Sequence, residues 1–509
     1  MEGALPGAPA RDLVVVSDLH MGRGLNPATK HWHRLEAFLY DEDFLAFCRW
    51  LCRSQQGRGI PLALVLNGDV FDFLRIEPAA PPGAAGPGRA FAPLLTPGTA
   101  AALVGDILAG HQPFADGLAE VLAAGHEVVF LPGNHDLEVQ WEPVQEAIRR
   151  VLAARLEAAG APAGATARLA FAPWFLWEPG RIWIEHGCQY DPENAFRFPL
   201  RRRLAEGPLA ATVAERDLPL GNFFQRYLYN AFGPITFIVP STRANYRYFR
   251  YLLTNQPRLL LRVVLSHTRF MVQILRRLAR APEFGWQREA EEAHAAELAE
   301  IAGATGLGEK VAEVDRLKYR GADAARAAGG LLRQAAKIAG GAMLAGLVGL
   351  GLFTAATAAV GSLQFGFAWR TLLTLLVYLV FGALAAAGAV AAALRVPPDR
   401  TPRPLGEAAD RIAGITGVPL VAFGHTHEEV VSRLGRDGGP RGWYFNTGTW
   451  LAVFTHDVLL PRERLQFTFL RVRGAEAELL HWSPGRDRPM PVVLLEEDPL
   501  APDGSPPGA

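Results

Sequence analysis

Five short apolar runs in this chain each end in a small group of metal-seeking side chains, and that repetition limits the possible folds more than any other feature. Leu13-Val-Val-Val-Ser17 leads into Asp18-Leu-His20, and Pro61-Leu-Ala-Leu-Val-Leu66 into Asn67-Gly-Asp69. His126-Glu-Val-Val-Phe-Leu131 leads into Pro132-Gly-Asn-His-Asp136. Arg181-Ile-Trp-Ile-Glu185 leads into His186-Gly187, and Val418-Pro-Leu-Val-Ala-Phe423 into Gly424-His-Thr-His427. Apolar runs this short, bounded by glycine and polar residues, predict buried strands. Helical patterns lie between them, near Leu35 to Leu51 and Phe114 to Ala124, whereas Ala79 to Pro97 is a Pro/Gly/Ala-rich loop. Alternating strands and helices predict a layered α/β domain. Ligands of such folds bind beyond the strand ends, where these polar blocks lie.

The blocks supply carboxylate oxygen, amide oxygen and imidazole nitrogen. That mixture suits Mn, Fe or Zn, with Mn the first choice, better than Ca or Mg alone. Seven residues are ligand candidates: Asp18, His20, Asp69, Asn134, His186, His425 and His427. They exceed the needs of one ion and suit two divalent ions about 3.5–4 Å apart. Each block alone is weak, because Gly-Asp and His-Gly pairs are common and a histidine at a strand end is ordinarily structural. Their order, each behind an apolar strand, is specific.

That order resembles the calcineurin-like metallophosphoesterases, over Asp12 to Gly187 and about Leu405 to Trp450. The resemblance implies a β-sandwich flanked by helices and a hydrolase of phosphoric esters, in which a metal-bridging hydroxide attacks phosphorus. Carried over position by position, it implies that Asp18, His20 and His427 hold one ion and that Asn134, His186 and His425 hold the other. Asp69 would bridge both. His135 would protonate the departing oxygen, and Asp136 would orient His135. The two histidines of His425-Thr-His427 would point the same way from an extended segment, each to a different ion. Asp72 is expected either behind the ligands or as a helix N-cap. Arg23 is expected as a phosphate contact or a solvated loop arginine. Both enter as candidate substrate-binding residues. Asn446-Thr-Gly-Thr-Trp450 resembles the family's closing strand and is expected to be structural.

A long segment separates His186 from His425 and lies outside the resemblance. The expected organisation is therefore a split catalytic domain, 1–190 and 405–490, around a helical insertion, 191–404, with a flexible tail at 491–509. Within the insertion, 218–280 holds ten arginines among aromatic residues and no Asp, Glu or Lys. Such a segment suits an anionic membrane face. Nucleic-acid binding and pairing with the acidic stretch 289–300 are the alternatives, and no nucleic-acid partner is expected. Residues 338–369 and 371–394 are uncharged, separated by Arg370. They predict a transmembrane hairpin, with helices over 338–363 and 371–394, against the alternative of a helical pair buried in a soluble lid. Gly340, Gly341, Gly346, Gly349 and Gly351 suit close helix packing in lipid. Lys318, Arg320, Arg326, Arg333 and Lys337 precede the hairpin, and Arg395, Arg400 and Arg403 follow it. Both flanks, and the catalytic domain, are therefore expected on the cytoplasmic side of the cytoplasmic membrane.

The insertion also suggests a substrate. The UDP-2,3-diacylglucosamine hydrolases of lipid A synthesis are similar in carrying DLH, a GD-x-x-D-like block, GHTH and a helical lid. They have Arg where this chain has His135. A pyrophosphate expels a good leaving group, whereas an alkyl phosphate expels an alkoxide that needs an acid. His135 therefore suits phosphomono- or diesters, including lipid-linked ones. A pyrophosphate hydrolase, an enzyme for soluble phosphoesters on a membrane tether, and a non-catalytic binding module remain as alternatives.

The 509 residues carry no net charge, which argues against a polyanion-binding chain as a whole. Three cysteines, Cys48, Cys52 and Cys188, make no disulfide framework. Cys48 and Cys52 are expected on one helix face. Met1 to Ala10 lacks the basic start of an export signal, and the first apolar run is too short for one.

Overall fold

The computed structural model describes residues 11–75, 95–205, 217–219, 221–222, 225–226, 230, 237–239, 255, 257–258, 286–319, 349–394, 403–435, 442–455, 458–459 and 467–492. The elements run β1 (Asp12–Val16), α1 (Asp41–Gln55), β2 (Leu62–Asn67), α2 (Pro97–Gly110), α3 (Gln112–Ala123), β3 (Glu127–Leu131), α4 (Glu142–Ala158), β4 (Leu169–Phe171), β5 (Phe175–Glu178) and β6 (Ile182–Glu185). Next come α5 (Arg202–Ala205), β7 (Phe237–Val239), α6 (Trp286–Thr305), α7 (Glu309–Asp315), α8 (Phe367–Leu394) and α9 (Arg403–Thr416). The chain closes with β8 (Leu420–Phe423), β9 (Glu429–Leu434), β10 (Gly442–Thr447), β11 (Val453–Thr455), β12 (Val458–Leu459), β13 (Phe467–Arg473), β14 (Glu476–Ser483) and β15 (Arg488–Pro491).

All five expected strands form, each within a residue or two of its expected limits. They build two mixed sheets. A seven-stranded sheet runs β15-β14-β13-β1-β2-β3-β4, and a five-stranded sheet runs β5-β6-β8-β10-β9. Period-2 alternation explains how they stack. Leu13, Val15, Ala63, Val65, Val129 and Leu131 of the first sheet share one apolar cluster with Ile182, Ile184, Leu420 and Ala422 of the second. The intervening Val14, Val16, Leu64, Leu66, Val128 and Phe130 pack instead with α1 to α4. On the other side Trp183, Val421 and Phe423 pack with residues of α6, α7 and α9. The layers are thus helices, sheet, sheet, helices. Strands buried on both faces read as unbroken apolar runs, which is what the sequence contains.

Parallel pairing decides where the polar blocks go. β1, β2 and β3 run parallel in one sheet, and β6 and β8 run parallel in the other. Their carboxyl ends therefore cluster within each sheet, and all five blocks follow those ends.

The region between His186 and His425 is not wholly helical. Phe237–Val239 is a strand that pairs in parallel with β11. Its run Ile235-Thr-Phe-Ile-Val239 is β-branched and aromatic, which favours a strand over the expected helix. The expected arginine-rich segment 218–280 lies mostly outside the described residues, as do 338–348, the Ala79 to Pro97 loop but for its last three residues, and the tail beyond 492.

Contacts divide the chain into two compact units, Met1–Ala324 with Thr401–Ala509, and Ala325–Arg400. In the second, residues 349–362 are helical and α8 is continuous over 28 residues. Phe353 packs edge-on against Tyr378 and Phe381, so the two helices lie side by side. Side chains of α8 are described through residue 382. Among the described residues no helix is long and apolar enough to cross a membrane, so the expected transmembrane hairpin gains no support from helix length. Large apolar side chains nonetheless stand exposed along this unit, including Phe367 at 88% and Leu379 at 71%.

Candidate metal centre

The five polar blocks meet. Ligand atoms of Asp18, His20 and His427 lie within 4.8 Å of one another, as do those of Asp69, His186 and His425. A third group, His20, Asp69 and His135, overlaps both. Asp69 thus stands between two clusters. Its Oδ2 is 3.2 Å from His186 Nε2 and 3.7 Å from His20 Nε2. His427 Nε2 lies 3.2 Å from Asp18 Oδ1 and 3.0 Å from His20 Nε2.

Backbone strain marks the same residues. Asp18, His20, Asp69, His425 and His427 all have left-handed φ, between 49° and 75°. Among the described residues only Lys30 and Asp487 share this state without glycine's freedom. Such conformations cost of order 1–3 kcal/mol each and persist where the surroundings impose them. They also correct one expectation. His425-Thr-His427 is a tight turn, with Thr426 N donating to Gly424 O, not an extended segment. Its histidines reach different clusters because the turn splays them, not because i and i+2 share a face. Gly424 has no positive φ; it is needed because a Cβ there would collide with Ser17 and Asp18. Gly133 is required in the same way against Asp69.

Partners behind the ring nitrogens fix which atom faces the centre. His186 Nδ1 donates to Asn67 O at 2.9 Å, which leaves Nε2. His20 Nδ1 lies 3.4 Å from Asp72 Oδ2, which again leaves Nε2. His425 is turned the other way, with Nε2 on Asp191 Oδ2 at 3.0 Å and Nδ1 left over. The Asn446–Trp450 stretch is structural, as expected, and holds two blocks together. Thr449 Oγ1 donates to Asp18 O, and Asn446 Nδ2 donates to Gly424 O, each at 2.6 Å.

Two expectations about neighbouring carboxylates change. Asp136 does not orient His135. It accepts from the backbone N–H groups of Gly133 and Asp69 on one oxygen and of Val70 and Phe71 on the other, at 2.7 to 3.2 Å. Those four donors use up its acceptor capacity and pin the β2 and β3 loops together. Asp72 takes the place next to His135, its Oδ1 3.0 Å from His135 Nδ1. Asp72 is fully buried, so it is no substrate contact. It also accepts from Leu74 N and Arg75 N, but these close a turn at 72–75 and not a helix, so of the two readings the place behind the ligands holds and the helix N-cap does not. Arg23 lies 3.6 Å from Asp106, as a loop ion pair.

Electrostatics agree with a site built for cations. Burial would raise the Asp18 carboxyl, but His186, His20 and His427 outweigh it and hold it well below the usual range. Burial would lower His20, yet Asp18, Asp72 and Asp69 lift it to about 9. His186 is likewise lifted to about 10, against burial, by Asp69 and Asp18. His427 moves the other way, to about 4, through burial and despite Asp18. Burial and the charge of Asp69 raise Asp136 to about 7, against its amide donors.

The residues fit divalent cations. Asn134 Oδ1 is buried and makes no hydrogen bond, while buried Asp18 Oδ1 and His186 Nε2 face other candidate ligands, His427 Nε2 and Asp69 Oδ2, each at 3.2 Å. An unsatisfied buried acceptor is costly, and a bound cation would complete it. Three sequence candidates sit in one cluster and three, with Asp69 included, in the other; Asn134 lies on the loop packed against Asp69. Asn67, Asp191 and Asn222, none of them a candidate from sequence, hold His186, His425 and Asn134 from behind. Asp191 follows His186 by a few residues in a polar loop and carried a faint signal; Asn222, 88 positions from Asn134, carried none. No protein-family model matches the chain, and no curated protein sequence matches it.

Proposed function

We propose that this chain is a metal-dependent phosphoesterase that uses two divalent cations at the described centre. One observation carries the reading: side chains from four strand ends converge as two ligand clusters with Asp69 between them, and His135 from a fifth joins a group that overlaps both. Two cations, when bound, would lower the pKa of a water and neutralise charge on phosphoryl oxygens. The remaining roles belong to the chain. Asp69 separates the clusters by one carboxylate. Asn67, Asp72 and Asp191 hold three histidines in the tautomers that leave one nitrogen for the centre. His135, with a ring nitrogen within 4.8 Å of ligand atoms of His20 and Asp69, is placed to donate a proton to the departing oxygen. Asp72 steadies it from the far side. An acid at this position favours mono- or diesters over pyrophosphates, and help of this kind is typically worth about 10²–10⁴ in rate.

The same proposal places residues 349–394 in the cytoplasmic membrane, with the centre on the cytoplasmic side and a lipid-linked ester as a candidate substrate. Support comes from the exposed apolar side chains of the helix pair and from the continuation of α8 to Leu394, without charge after Arg370. A monomeric soluble protein rarely leaves so large an apolar surface in water.

The test is a substrate panel on detergent-purified protein, stripped of metal and reloaded with Mn(II). Mn-dependent turnover of a phosphomonoester or diester, faster than of a lipid pyrophosphate, is expected. A protein that takes up no divalent cation, or that binds Mn(II) yet turns over none of the three classes, overturns the reading.

A further inference from the structure

The segment that follows His186 enters the core at two points, and each point lies behind a different candidate ligand of the second cluster. Asn222, 1% exposed, accepts from Asn134 Nδ2 at 3.0 Å and donates its own Nδ2 to Asn134 O at 2.6 Å. The second bond fixes which end of the Asn222 carboxamide faces Asn134. Only its oxygen is then available, so Asn134 must turn Nδ2 toward it, and Asn134 Oδ1 is left over, buried and without a hydrogen bond. A cation accepts the oxygen of an amide and not its NH2, so this clamp selects the one amide orientation that can ligate. Asp191, 6% exposed, does the equivalent for His425 by occupying Nε2 and leaving Nδ1.

The two holders are tied together. Asp191 Oδ2 also accepts from Asn194 Nδ2 at 2.7 Å, and Gly221 N donates to Glu193 O at 2.9 Å. A Cβ on Gly221 would collide with Asn194 Oδ1, so the strands of chain at 191–194 and 221–222 fit only as a glycine allows.

We propose that Asp191 and Asn222 are positioning residues of the second cation site, so that this site is complete only while 191–194 and 221–222 are packed behind it. The inference rests on the two-cation reading and deepens it. The first cluster, Asp18, His20 and His427, has no contact with either holder among those described. Cation affinity of one site, and not the other, is therefore linked to the packing of 191–194 and 221–222, and the linkage is reciprocal. Removing partners behind metal ligands commonly costs about 10–100-fold in affinity.

The experiment is a calorimetric Mn(II) titration of metal-stripped full-length protein in detergent, beside Asn222→Ala, Asn222→Asp, Asp191→Ala and a thermal unfolding control. Wild type is expected to bind two equivalents. Asn222→Ala and Asp191→Ala are expected to keep one equivalent at wild-type affinity and weaken the other at least about 10-fold. Asn222→Asp, which keeps an acceptor for Asn134 Nδ2 but loses the donor to Asn134 O, is expected to weaken the same equivalent and no other. Unchanged second-site affinity in all three variants overturns the inference, as does equal weakening of both sites. A wild type that binds no Mn(II) fails at the earlier step, the two-cation reading itself.

Discussion

His135 Nδ1 lies 3.0 Å from Asp72 Oδ1, and the other oxygen of that carboxylate lies 3.4 Å from His20 Nδ1. One buried carboxylate thus serves an acid candidate and a ligand candidate together, while Asp136, the expected partner of His135, is committed to four backbone amides. Substitution separates the two. Asp72→Asn should lower kcat about 10–100-fold through its neighbours, and should also cost stability because it takes the charge from a buried pair with Arg75, whose Nε lies 3.0 Å from Asp72 Oδ2. Asp136→Ala should instead destabilise the fold by about 2–4 kcal/mol, because it leaves buried amides without an acceptor. Kinetics and chemical denaturation of both variants check this; an Asp136→Ala protein as stable as wild type refutes the structural role.

Asp69 is the carboxylate both clusters share. Asp69→Asn removes its charge but little volume. It should abolish turnover and reduce bound metal below two equivalents, as measured by elemental analysis. Full activity in this variant would discredit a bridging role.

What the sequence made legible was the local part. Strands and their polar ends could be read because strands buried on both faces are unbroken apolar runs, and because five such ends in order carry what no single end does. The clusters themselves also followed from that order. What stayed hidden depended on tertiary contact. That Asp72 and not Asp136 faces His135 is set by how the β2 and β3 loops interlock. The His425 turn is bent by left-handed φ values that no propensity anticipates for histidine. Asn222 is brought to Asn134 by a segment that carries no motif. The strand Phe237–Val239 was masked by its arginine-rich surroundings.

His135 itself is testable by leaving group. As a proton donor it should matter little for an ester whose leaving phenol is acidic and greatly for an alkyl ester. His135→Ala is therefore expected to retain metal and to lose about 10²–10⁴ in kcat on alkyl phosphates, with a much smaller loss on nitrophenyl phosphates. Equal losses on both refute the acid role.

A second buried ionic group lies away from the centre. His111 Nδ1 is 2.9 Å from Asp41 Oδ1, and its Nε2 is 3.3 Å from Glu36 Oε2. Glu36 in turn accepts from Gly22 N and Gly24 N and so holds the loop after His20. Burial would lower His111, but Asp41 and Glu36 raise it from 6.5 to about 9. A raised histidine stabilises the folded state fully below its unfolded pKa, and that contribution is lost as pH climbs through about 9. Its full size is on the order of 3 kcal/mol. The difference in unfolding free energy between wild type and His111→Gln, both metal-loaded, should therefore shrink from pH 6.5 to 9.5. Parallel stability curves across that window count against the network.

The helix pair at 349–394 makes the last prediction. Exposed Phe367, Trp369, Leu375 and Leu379 would each bury against lipid at about 1.5–3 kcal/mol relative to water. Even a few such side chains outweigh the cost of immobilising the protein at a surface. Full-length protein should therefore sediment with membranes and resist extraction by carbonate, whereas a variant lacking 338–394 should move to the supernatant and still bind Mn(II) at the first cluster. Wild-type protein recovered wholly in the supernatant removes the membrane part of the proposal and leaves the metal centre untouched, since no residue of that centre lies within the deleted stretch.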